Sequence, residues 1–117
     1  MPILDGDEGI ILESKAVYEG GGGIKIPGKK KGTLFLTRKR VIFEYVEGIL
    51  SKKKMLGMNL PISKIRNVYA EGTISKKLVI EFERKDETIG KVKFKVNGVS
   101  EWVKEIHMLV TDYIRFQ

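Results

Sequence analysis

The stretch that most constrains the fold of this chain is residues 32–46, Gly-Thr-Leu-Phe-Leu-Thr-Arg-Lys-Arg-Val-Ile-Phe-Glu-Tyr-Val. Its two flanks, residues 33–37 and 41–46, are rich in β-branched and aromatic side chains, which favour half-buried strands. The Arg-Lys-Arg segment between them is too hydrophilic for a core, so the chain must turn in solvent there. The pattern therefore predicts a β-hairpin, around which further strands must form a sheet.

Five more strands and one helix are predicted from the hydrophobic pattern. The strands are expected at residues 10–18, 55–62, 65–71, 78–83 and 91–96. Pro61 predicts an edge position or the end of its strand, because proline cannot donate to a ladder. Apolar side chains spaced three and four apart predict a helix over residues 99–116, with Trp102 and Tyr113 as core anchors. Seven strands and one amphipathic helix predict a mainly β fold, a sandwich or open barrel that the helix covers.

The last two strands alternate so clearly between apolar and charged residues that their register can be predicted. If both apolar faces point to the core, opposed residues must share a face. One register that satisfies this condition places Glu83 opposite Lys91 and Glu81 opposite Lys93. Lys91, Lys93 and Lys95 are therefore predicted to form a solvated salt-bridge ladder and not a ligand site.

Length and composition predict one domain over residues 1–117, with a flexible N-terminal segment at residues 1–8. The absence of cysteine excludes disulfides and thiolate metal sites. No secretory signal and no apolar run of about 20 residues is visible, so a cytoplasmic protein is expected. Abundant Lys, Glu and Ile, with glutamine only at Gln117, suggest a thermophilic source.

The positive charge of the chain is concentrated in two short segments. The formal net charge is +7, and two lysine triplets supply six positive charges, so the rest of the chain carries a net charge of +1. The triplets are Lys29, Lys30 and Lys31, and Lys52, Lys53 and Lys54. The rest of the domain is close to neutral, so any electrostatic partner is expected to meet these two segments.

A family resemblance rests on three segments. Residues 32–43 are similar to the "G-x-L-x-L-T-x-x-R-[LV]-I-F" core of the GRAM-type branch of the pleckstrin-homology (PH) superfold. Residues 60–68 resemble that family's "I-x-L-x-x-I-x-x-V" segment, and the helix with Trp102 near its start matches its final element. The resemblance implies a PH-like seven-stranded β-sandwich or open barrel, capped by one helix, that acts as a non-enzymatic binding module.

The resemblance also implies where a ligand would bind. In that fold the two loops that carry the lysine triplets sit side by side at one open end, where many relatives bind phosphoinositide headgroups. The six lysines are thus expected to form a lipid-binding site, with peripheral membrane association as the consequence. Thr33, Phe35 and Thr37 stand where headgroup binders carry arginine or lysine, which favours diffuse attraction to an anionic surface over recognition of one headgroup. The triplets have apolar neighbours that are expected to enter the acyl boundary: Ile24, Ile26, Ile49, Leu50 and Met55. The alternative for the first four is that they cover the barrel mouth.

Other functions are also compatible with parts of this sequence. The main alternative is a protein–protein or self-assembly adaptor that uses a sheet edge or the helix groove, and the triplets could also serve solubility alone. Nucleic acid is disfavoured because no aromatic residues are interleaved with the lysines. No cofactor, metal site or catalytic residue is predicted, because the sequence shows no metal-ligand cluster and no nucleophile–base spacing. The single histidine, His107, lies on the polar face of the helix, where a general base would have no orienting partner. Residues 23–30 match G-x-x-x-x-G-K, but Lys30 replaces the Ser or Thr that holds Mg²⁺, and a strand follows.

Overall fold

The structure is a computed structural model, and it describes residues 4–6, 8–22, 26, 28–48 and 50–115. The described residues form seven strands and one α-helix, as the sequence predicts. The strands are β1 (Ile10–Gly22), β2 (Lys30–Thr37), β3 (Arg40–Glu47), β4 (Lys53–Pro61), β5 (Ile65–Glu71), β6 (Lys77–Glu83) and β7 (Ile89–Val96). A short 3-10 helix, Ile62–Lys64, joins β4 to β5, and the chain ends in α1 (Val99–Arg115).

All seven strands belong to one antiparallel sheet in the order β4-β3-β2-β1-β7-β6-β5. The long strand β1 pairs with β2 on one side and with β7 on the other, so it joins the two halves of the sheet. Register shifts interrupt the ladders of β1, β3 and β5, and such bulges bend and twist a sheet. Pro61 is the last residue of the edge strand β4, so the prediction of an edge position or the end of a strand is confirmed on both counts.

Strand β1 continues four residues beyond its predicted end at Tyr18, into a run of glycines that begins at Gly20. Gly21 pairs with Val92 and Gly22 with Lys91 in β7, while Gly20 adopts a positive φ of 96° within the bulge. Glycine permits this left-handed step, and a backbone ladder needs no side chains. The strand therefore bends at Gly20 and keeps its pairing with β7; Gly23, the last glycine of the run, lies outside the described residues.

The predicted register between β6 and β7 is wrong by two residues. Glu81 lies opposite Lys91, not Lys93, and Lys93 lies opposite Val79. The Nζ atom of Lys93 instead meets the carboxylate of Glu71 in β5 at 2.6 Å. The predicted ladder is therefore replaced by different pairings, and Lys95 forms no ion pair with any other described residue.

One core lies between the inner face of the sheet and α1. Trp102 is 1% exposed and its Nε1 donates to Ser14 Oγ at 3.4 Å, which confirms its predicted role as an anchor. Tyr113 is 41% exposed, so the prediction that it anchors the core is wrong. The helix packs on β5, β6 and the 3-10 helix, and the side chains of its last turn are exposed. Among the described residues, no helix has the length and hydrophobicity that a membrane span requires.

The N-terminal segment is fixed at Glu8, where the sequence led us to expect flexibility. The Glu8 carboxylate accepts hydrogen bonds from Arg40 Nε at 2.9 Å and Nη2 at 3.0 Å, and from Thr37 Oγ1 at 2.5 Å. It also accepts one from the Asp5 amide at 3.1 Å. These bonds hold the pKa of Glu8 at about 2, with the hydrogen bond from Arg40 as the largest cause. Residues 1–3 and Asp7 lie outside the described residues.

Candidate functional site

The two lysine triplets come together at one end of the sheet. Strand β2 begins at Lys30 and β4 begins at Lys53, and both strands flank β3. Glu47, at the end of β3, lies directly opposite Lys53, and its carboxylate is 3.7 Å from Lys30 Nζ. We call the six lysines of the two triplets the basic rim. Their proximity agrees with the arrangement that the family resemblance implied, whereas what they bind remains a prediction.

The lysines of the basic rim differ in how far their charge is compensated. Lys29 pairs with Glu19 at 3.3 Å, and Lys30 pairs with Glu47 and lies over the ring of Tyr45, 5.9 Å from its centroid. The other four are exposed and form no ion pair within the described part of the chain: Lys31, Lys52, Lys53 and Lys54. The available positive charge of the rim therefore resides mainly in these four side chains.

The rim continues onto the outer face of the sheet. Val17 lies opposite Lys31 in β2 and opposite Lys95 in β7, so these three residues share a face. Lys15 lies two residues from Val17 on the same face. Lys15, Lys31 and Lys95 line a shallow cavity of about 400 Å³, and none has an ion pair among the described residues.

Sequence reasoning missed Lys15 and Lys95 as members of this surface. The sequence pattern predicts a salt-bridge ladder for Lys95, and it does not single out Lys15 within the first strand. Their proximity depends on the register between β1 and β7, two strands that are far apart in the chain. No local pattern in the sequence carries that information, so only the fold could reveal it.

Glu19 connects a third loop to this end of the sheet. Its carboxylate meets Lys77 Nζ at 3.0 Å and Lys29 Nζ at 3.3 Å. The hydrogen bond from Lys77 is the largest of the causes that lower the pKa of Glu19 below its usual value. Because Lys77 begins β6, the base of the loop between β5 and β6 lies beside the basic rim.

The apolar neighbours of the triplets have different positions. Ile26 is buried in the core, so it is not available to enter an acyl boundary, and Met55 is partly buried against the same core. Leu50 is fully exposed beside the second triplet. Ile24 and Ile49 lie outside the described residues, so their expected contacts are not described.

The described residues contain no group of three or more His, Cys, Asp or Glu side chains that could hold a metal ion. His107 is exposed on α1. In the phosphate-loop-like segment, the described strand β2 begins at Lys30, where a nucleotide-binding loop would need a helix.

Comparison with known proteins identifies the family. A family model described as "Vacuolar protein sorting protein 36 Vps36", of ESCRT-II, matches residues 1–85. The chain belongs to the Vps36 family. A solved structure described as a Vps36 N-terminal PH domain superposes with a TM-score of 0.71 at 15% identity, covering 97% of this chain and 87% of the other. No curated protein sequence matches the chain.

A second solved structure has a related fold. The C-terminal domain of an unknown protein from Leishmania infantum superposes with a TM-score of 0.58 at 10% identity, covering 89% of this chain and 85% of that one. Together with the Vps36 match, the comparisons confirm the PH-like fold that the sequence resemblance implied. They also identify the chain as a PH-like binding module of the Vps36 family.

Proposed function

We propose that this Vps36-family chain is a non-enzymatic, GRAM-type PH-like module whose basic rim contacts an anionic membrane surface. The observation that carries the proposal is the proximity of the two triplets, with four lysines that have no ion pair among the described residues. Each lysine close to an anionic leaflet contributes about 1 kcal/mol of attraction. Lys29 and Lys30 contribute less, because Glu19 and Glu47 already compensate their charge.

Vesicle sedimentation tests this proposal. We expect binding to phosphatidylcholine vesicles that contain phosphatidylserine, and none to phosphatidylcholine alone. Changing Lys52, Lys53 and Lys54 to glutamine should weaken binding at least tenfold, since three uncompensated charges leave the rim.

The matched control changes three exposed cations that lie away from the rim, Arg38, Lys85 and Lys104, to glutamine. These residues lie in the β2–β3 turn, the β6–β7 loop and α1, and like the three rim lysines they form no ion pair among the described residues. The two variants remove the same formal charge. Equal losses in the two variants would show that total charge, and not the basic rim, determines binding. Equal binding of the unmodified protein to both kinds of vesicle would contradict the proposal.

A protein–protein adaptor is the second candidate, and the end of α1 favours it. Tyr113 and Ile114 are exposed there beside a cleft of about 400 Å³ that the 3-10 helix and the start of β5 also line. The β4 edge is less suited to strand addition, because Lys53, a bulge near Gly57 and Pro61 are features that protect an edge.

Ionic strength distinguishes the two candidates. At physiological salt the Debye length is about 8 Å, and it falls to about 3 Å at 1 M. We expect vesicle binding through the exposed lysines of the rim to decrease steeply over this range. Binding of a protein to the apolar end of α1 should change little, so salt-insensitive association would favour the adaptor.

A further inference from the structure

Two loops of this chain are copies of one short sequence. Residues 47–53 are Glu-Gly-Ile-Leu-Ser-Lys-Lys, and residues 71–77 are Glu-Gly-Thr-Ile-Ser-Lys-Lys. Five of the seven positions are identical, and the fourth is a large aliphatic residue in both. The first segment connects β3 to β4 and the second connects β5 to β6. We call them the twin loops.

The described residues of the twin loops, which leave out Ile49, also share several backbone features. In each, the first Glu lies opposite the last Lys of the segment, Glu47 with Lys53 and Glu71 with Lys77. The following glycines have positive φ angles of 105° at Gly48 and 115° at Gly72. A Cβ on either glycine would overlap the carbonyl oxygen of the serine three residues later. The positive φ at the glycine and its close approach to the serine are therefore common to both loops.

Neither the turn nor the core requires an aliphatic residue at the fourth position. Leu50 is 101% exposed and Ile74 is 99% exposed, whereas Ile114, the next most exposed large apolar residue described, is 68% exposed. Two serines or asparagines would serve equally well in a solvated turn. Leu50 and Ile74, which we call the tips of the twin loops, are each followed within two residues by lysines. An aliphatic tip beside cations suits the boundary between lipid headgroups and acyl chains.

Ion pairs link the bases of both loops to the first triplet. Lys77, at the base of one loop, pairs with Glu19, which also holds Lys29. Glu47, at the base of the other, pairs with Lys30. The twin loops thus flank the β1–β2 end of the sheet, where the proposed membrane contact lies.

We propose that the twin loops are two equivalent membrane-insertion points, with Leu50 and Ile74 entering the acyl boundary of an anionic bilayer. This inference rests on the proposed membrane function and adds the loop between β5 and β6 to it. Lys52 and Lys76, exposed and without an ion pair among the described residues, contact the headgroups beside each tip. Attachment at two points restricts the orientation of the domain on the surface more than the basic rim alone does.

Tryptophan reporters test the insertion. The chain has a single tryptophan, Trp102, and its burial gives a constant background. We expect Leu50→Trp and Ile74→Trp each to shift to shorter emission wavelength with phosphatidylserine vesicles, and to be quenched by lipids brominated in their acyl chains. Met108→Trp, on α1, is the matched control and should stay accessible to aqueous iodide.

A second variant avoids the membrane affinity of tryptophan itself. Ile74→Ser should weaken vesicle binding about tenfold, whereas Ile114→Ser, at the end of α1, should leave it unchanged.

Sedimentation of the same samples separates the two proposals. If the protein binds vesicles while a reporter at position 74 stays accessible to iodide, insertion is overturned and the membrane function stands. If the protein does not bind anionic vesicles, both fail; a wavelength shift without vesicles would indicate self-association and also overturn insertion.

Discussion

Replacing Gly32 by alanine is expected to lower the free energy of unfolding by about 3 kcal/mol. Gly32 lies in β2 directly opposite Tyr45 in β3, and a Cβ added there would fall on the backbone carbonyl oxygen of Glu44. The ring of Phe43 is also close to that point. Because the obstacle is backbone, it cannot move as a side chain would, and β2 must separate from β3 near the start of the central hairpin.

Urea unfolding, extrapolated linearly to water, measures this loss. Gly9→Ala is the matched control, because nothing lies within 4 Å of a Cβ at Gly9 and its φ is not positive. That substitution should leave the stability unchanged or raise it slightly, since alanine restricts the unfolded chain. Equal stability of the two variants would show that β2 and β3 adjust to a methyl group at no cost.

The central hairpin could be predicted because its evidence is local. Both strands are marked by β-branched and aromatic residues, and the cations between them allow only a turn, which the structure places at residues 38–39. The faces of β6 and β7 were predicted for the same reason. Alternation fixes which residues share a face, but it is satisfied equally by registers that differ by two residues.

The register of β6 and β7 is instead determined by the loop between them. The carbonyl oxygen of Thr88 accepts a hydrogen bond from the Arg84 amide at 2.8 Å, and the Asp86 carboxylate accepts one from the Thr88 amide at 3.2 Å. These bonds close a short loop and start β7 at Ile89, two residues before the predicted strand. A loop conformation of this kind follows from backbone and side-chain hydrogen bonds together, and the strand pattern contains none of them.

The candidate site was predictable only in part. The six rim lysines stand out as local runs, and the family resemblance brought their loops together. Glu19 and Glu47 compensate the charges of Lys29 and Lys30, and the other rim lysines keep their charge available. These two ion pairs depend on the strand register, which the sequence does not give. The twin loops are visible in the sequence as a repeated segment. The proposal that they insert into a membrane depends on the exposure of Leu50 and Ile74, which only the structure shows.

Replacing Glu8 by glutamine is expected to lower the free energy of unfolding by about 3 kcal/mol at pH 7. The carboxylate side chain is fully buried and accepts hydrogen bonds from Arg40, Thr37 and the Asp5 amide. An amide cannot accept all of them, and the Arg40 guanidinium would lose its charged acceptor. Asp5→Asn is the matched control in the same segment: it removes an exposed ion pair with Lys39 and should cost less than about 1 kcal/mol.

The pH dependence of that difference tests its electrostatic origin. Folding lowers the pKa of Glu8 from 4.5 to about 2, so the stabilisation is complete above pH 4.5 and is lost as the pH falls towards 2. Other carboxyl groups titrate in both proteins and cancel when the variant is subtracted from the unmodified protein. The stability difference measured by urea unfolding should therefore be constant from pH 7 to about 5 and shrink steadily below 4.5. A difference that stays constant down to pH 2 would mean that Glu8 stabilises the fold by its shape and packing, and that its charge contributes nothing.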